Sequence, residues 1–90
     1  MEKINKKFQN SRLGLELDVY VHDGKEWFLA KDISDYLGYE DTRHMTRNLD
    51  SMEKHSCLHN METAQGNSYQ AVFIDEYGVY EAVLKVRRVI

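Results

Sequence analysis

The chain has no proline, a single cysteine and only five glycines, scattered along 90 residues. Without proline or a Gly/Ser run there is no linker, and no internal repeat divides the chain. The lone Cys57 excludes an internal disulfide and fits a reducing compartment. Apolar runs are only a few residues long, too short to cross a bilayer. The start, Met1-Glu2-Lys3-Ile4-Asn5-Lys6-Lys7, is too polar for a secretory signal, so the expected location is cytoplasmic, with no membrane partner. A surplus of positive charge is missing too, since 12 basic residues face 15 acidic ones for a net charge of −3. Phosphate affinity comes from Lys and Arg displacing counterions, so any DNA contact must use a local patch.

The composition that remains is that of a folded domain. It is 42% hydrophobic and 11% aromatic, too apolar for a disordered chain. Ninety residues make one domain, expected to span 1–90. The charge is uneven: residues 1–12 hold four basic groups against one acidic, 13–41 hold two against eight, and 42–90 balance. The stretch 13–41 is therefore the natural surface for a basic partner.

Leu13, Leu15, Leu17, Val19 and Val21 alternate with polar residues, the period of a half-buried strand. Asp23-Gly24 suits a type I′ turn, so a β-hairpin is expected over about 13–29. A two-residue turn sets Trp27 opposite Tyr20 and Phe28 opposite Val19, on opposite faces of the ribbon. Residues 1–12 are expected to be flexible or an edge strand. A short helix follows over 31–37, with Ile33, Tyr36 and Leu37 on one stripe and Gly38 as its left-handed end. Asp41 or Thr42 then caps a second helix over 42–50, giving helix-turn-helix spacing. Residues 51–67 read as a polar, irregular connection. A strand over 68–74 joins the sheet, and Asp75 caps a last helix over 76–87. Strands mixed with short helices, without βαβ repeats, give an α+β fold.

The second helix is the chief candidate for chemistry. Steps of 100° gather Met45, Leu49 and Met52 on one side and put Arg43, Arg47 and Lys54 near the other. Arginine's planar fork suits phosphate or the guanine edge, and Thr42 adds a hydroxyl near the helix start. The expected nucleic-acid contacts are therefore Thr42, Arg43, Arg47 and Lys54; the plainer reading is a solvated face. His55, Cys57 and His59 would point to one side of a strand, but no further ligand at metal-site spacing accompanies them, so no metal is expected. No Cys-His or carboxylate pair has a catalytic arrangement, and the scattered glycines form no phosphate cradle. Neither an enzyme nor a cofactor is expected.

Two blocks carry a family resemblance. One is Asp23-Gly24-Lys25-Glu26-Trp27-Phe28-Leu29-Ala30-Lys31-Asp32-Ile33 with Leu37-Gly38-Tyr39 and Asp41-Thr42-Arg43. The other is Phe73-Ile74-Asp75-Glu76-Tyr77-Gly78-Val79-Tyr80-Glu81. In order and spacing they resemble the Bro-N domain of phage antirepressors and baculovirus BRO proteins. The chain departs at Val86-Arg87, where the family usually has Ser-Arg. The resemblance implies a small α+β regulatory domain in a bacterial host cytoplasm, binding DNA, or alternatively binding and sequestering a repressor or other regulatory protein. On the last helix the apolar arc continues to Val86 and Ile90, which are expected to form a homodimer interface.

Overall fold

The computed structural model describes residues 1–11, 14–39, 41–47 and 52–88. The chain runs β1 (Glu2–Asn10), β2 (Leu15–His22), β3 (Lys25–Leu29), α1 (Ala30–Leu37), α2 (Thr42–Arg47), α3 (Met52–His55), β4 (Ser56–Glu62), β5 (Ser68–Ile74) and α4 (Glu76–Arg88). All strand pairs are antiparallel, in one five-stranded sheet of order β1-β2-β3-β5-β4. The fold is α+β.

The alternation in β2 does what its period requires. Leu15, Leu17 and Val19 are buried on one face, where they meet Phe28, Ala30, Ile33, Met45, Ile74, Val79 and Ala82. This is the main core, and it lies under the helices. Both turn residues of the hairpin have positive φ, Asp23 at 51° and Gly24 at 73°, as a type I′ turn demands. That turn fixes the register, and Tyr20 faces Trp27. Trp27 is therefore on the opposite face from Phe28, in a smaller cluster with Tyr20, Ala71 and Phe73. Tyr20 and Phe73 meet edge to face, with centroids 5.0 Å apart.

Of the two alternatives for the N-terminal segment, the structure shows the edge strand: β1 is held by Lys3–Asp18 (3.2 Å), Lys7–Asp18 and Lys6–Glu26 (2.8 Å). The supposed connection over 51–67 instead contains α3 and β4. Its strand pattern is muted, because Leu58, Asn60 and Glu62 are exposed while Cys57, His59 and Met61 are only half-buried. Of the second helix expected over 42–50, Thr42–Arg47 are described as α2 and 48–51 lie outside the described residues; Lys54 is described within α3.

Candidate nucleic-acid interface

The α1–α2 corner is built by short polar contacts. Gly38, at φ +83°, ends α1, and the amides of Gly38 and Tyr39 bond back to the carbonyls of Asp35 (3.3 Å) and Ser34 (2.9 Å). Asp41 caps α2 by accepting the His44 amide at 2.8 Å. The Ser34 hydroxyl, buried in the corner, donates to the Lys31 carbonyl at 3.0 Å and lies 3.3 Å from the Thr42 hydroxyl. Thr42 is thus turned toward α1, with its hydroxyl engaged there.

Met45 anchors α2, being fully buried in the main core. Arg43 and Arg47 stand two residues to either side of it, so both point about 160° away from the anchor and lie one turn apart on the outer face. Both are exposed, and among the described residues neither has an ion-pair partner. They are available cations on a rigidly seated helix.

A cleft of about 280 Å³ opens beside them. It exists because β3 pairs with β5 only at Phe28–Ile74 and Leu29–Phe73 before the chain turns into α1. Tyr69 to Val72 of β5 therefore run past the end of β3 and face α2 across a gap. Leu29, Ala71 and Val72 line it, with Lys31, Thr42, Arg43, Thr46, Tyr69 and Gln70. Lys31 is hydrogen-bonded to Asp35 at 3.1 Å, which raises its pKa and keeps it cationic. Thr46 is there by helical spacing, one turn after Thr42 and Arg43 on α2. Tyr69 and Gln70 are neighbours that sequence spacing did not bring to this site; the β3–β5 pairing places them there.

Lys54 lines a different cleft, of about 370 Å³, with Lys25, His55 and Tyr77 around Asp75. The Asp75 side chain is almost fully buried. It accepts the Gly78 amide at 3.0 Å, the His55 Nδ1–H at 2.9 Å and the Lys25 ammonium at 3.1 Å. Burial alone pushes this carboxyl up; the Gly78 amide, His55 and Lys25 override it and set its pKa below the ordinary range. His55 is thus drawn to Asp75, while Cys57 and His59 lie on β4. Among the described residues no group of three His, Cys, Asp or Glu side chains is placed to hold a metal. Burial also pushes the Cys57 thiol up, the reverse of an activated nucleophile.

The acidic stretch gathers in a third cleft, of about 440 Å³, where Glu16, Asp18, Asp32 and Asp35 meet Lys7. Burial, and then the charges of Asp18 and Asp35, raise the Asp32 carboxyl. On α4, Val79 and Val83 are buried. Ile90 and the Val86 side chain fall outside what the structure describes. No described helix is long and apolar enough to cross a membrane.

Residues 16–88 match the model of a family described as the BRO family, N-terminal domain. No curated protein and no solved structure matches the chain.

Proposed function

Because the chain belongs to the BRO family, as its N-terminal Bro-N domain, we propose that it is a DNA-binding regulatory domain of the phage antirepressor kind that makes contact through α2. Domains of this family are generally DNA-binding and regulatory. The observation that carries the assignment to α2 is the seating of the helix. Met45 is fully buried, and Arg43 and Arg47 project together from the outer face without a described carboxylate to neutralise them. Each can fork onto a phosphate or a guanine edge. The acidic cleft of Glu16, Asp18, Asp32 and Asp35 would be repelled by a duplex, which favours one docking orientation. The role is one of binding, in the cytoplasm, with neither catalysis nor a cofactor.

Fluorescence anisotropy with a labelled duplex tests this reading. The double variant Arg43→Ala/Arg47→Ala is expected to bind at least about tenfold more weakly, or ~1.4 kcal/mol, with an unchanged melting temperature. Lys54→Ala, in the other cleft, is expected to bind like the parent chain. Unaltered affinity in the double variant removes α2 from the contact.

The acidic cleft supports a second reading, in which a basic segment of a repressor or another regulator is the partner. It predicts salt-sensitive binding to such a protein that Asp32→Asn/Asp35→Asn abolishes and Arg43→Ala/Arg47→Ala leaves intact.

A further inference from the structure

The sheet has two outer strands, and they are defended very differently. β1 carries Lys3, Lys6 and Lys7, and its pairing with β2 is interrupted by a register shift between Lys3 and Lys7. Lysines and bulges are the ordinary means by which an edge avoids further pairing. β4 has neither. From Ser56 to Met61 it contains no charged residue and no proline, and it pairs with β5 without interruption from Ser56–Ile74 to Glu62–Ser68. A strand in regular antiparallel pairing on one side presents, on its other side, the N–H and C=O groups of alternate residues. Among the described residues no strand or other backbone takes up that side of β4. Leu58, in the middle of the strand, is 59% exposed.

We propose that β4 is where a second copy of this chain adds, the two β4 strands running antiparallel across a twofold axis normal to the sheet. The hydrogen-bonding pattern is what selects this occupant. An antiparallel pair of identical strands is self-complementary, so each copy supplies the donors and acceptors that the other lacks. Charge selects it as well: with no ionised side chain from Ser56 to Met61, centring the pair mid-strand opposes no like charges. The same centring makes the two Leu58 side chains opposite or diagonal neighbours on one face of the joint sheet, covering apolar surface now open to water. A twofold normal to the sheet leaves both helical layers on the same side. The two α2 helices then face one way, as paired half-site contacts require. The pairing itself does not depend on DNA binding, so either can fail without the other.

Light scattering coupled to gel filtration, from micromolar to submillimolar concentration, is the test. The parent chain is expected to approach twice its monomer mass as concentration rises. Leu58→Lys/Asn60→Lys places new charges on exposed positions of the edge and is expected to hold the chain at monomer mass with its circular-dichroism melt retained. Leu84→Lys, on the exposed side of α4, is expected to dimerise as the parent does. Amide hydrogen exchange on the unmodified chain gives a second readout, in which β4 amides gain protection with concentration while β1 amides do not. A chain that stays monomeric throughout the range overturns the proposal. So does a dimer that survives Leu58→Lys/Asn60→Lys, or one whose β4 exchange does not change with concentration.

Discussion

Phe28→Ala is expected to abolish the cooperative thermal transition, because the loss of about 3–5 kcal/mol for a buried Phe is comparable to the whole stability of a domain this small. Phe28 is 1% exposed and stands where the three parts of the fold meet. Its backbone pairs with Ile74 of β5. Its ring meets Phe8 of β1 edge to face at 5.1 Å, and its cluster joins Val19 to Ile33 of α1 and Val79 of α4. β3 has only five residues, so no neighbouring side chain on that face replaces it. The cavity would lie under both α1 and α4, which weakens the α1–α2 corner as well as the sheet. Circular dichroism and a urea titration measure this. A variant that keeps a cooperative melt within a few degrees of the parent would show that Phe28 does not join the helices to the sheet.

The next largest loss is expected at Asp75. Its carboxylate caps α4 through the Gly78 amide and ties that cap to Lys25 of β3 and His55 of α3. Asp75→Ala removes the cap and leaves the Gly78 amide buried without an acceptor, a loss of about 2–3 kcal/mol. Asp75→Asn is expected to be nearly as harmful, since its amide NH₂ would face two further donors, Lys25 and His55. The effect depends on pH. The folded pKa of Asp75 is depressed below the ordinary carboxylate value, so its stabilisation is complete above the unfolded pKa of about 3.9 and is lost as pH falls through the folded value. The gap in melting temperature between the parent chain and Asp75→Asn should therefore be widest near neutral pH and close under acid conditions. The comparison cancels carboxylates common to both chains, including Asp32, whose raised pKa acts in the opposite sense. A gap that stays constant down to low pH would show that the Asp75 charge contributes nothing to stability.

Much of this fold was legible because local signals and tertiary packing agree. The alternation of Leu15, Leu17 and Val19, the Asp23-Gly24 turn, the Gly38 stop and the Asp75 cap each have a local cause, and the structure uses each in that way. Phe28, on the ribbon face opposite to Trp27 as the two-residue turn requires, is buried with Val19 and Ile33, and Leu37 packs against that cluster. β4 was not legible. Its alternation sets Leu58, Asn60 and Glu62 against Cys57, His59 and Met61, which is no clean contrast of polar with apolar. Its strand state is imposed by β5, whose apolar Ala71 and Phe73 offer a template. The surroundings of Lys54 were not legible either, since a 100° step from Met45 says nothing of the cleft around Asp75 that Lys54 lines. The cleft next to Arg43 was beyond reach, since Tyr69 and Gln70 arrive there only because β3 ends two residues into its pairing with β5.

The most direct measurement is the salt dependence of binding to a random-sequence duplex, made on the parent chain and on Arg43→Ala/Arg47→Ala. Each phosphate neutralised on B-DNA contributes about −0.9 to the slope of log K against log salt. With Arg43 and Arg47 each on a phosphate, the parent is expected to show a linear fall of slope about −2 or steeper, and the double variant a slope shallower by about 2. A chain that binds no duplex at low salt, or whose affinity ignores salt, would contradict the DNA-binding account. Equal slopes in the two chains would place the contact somewhere other than α2.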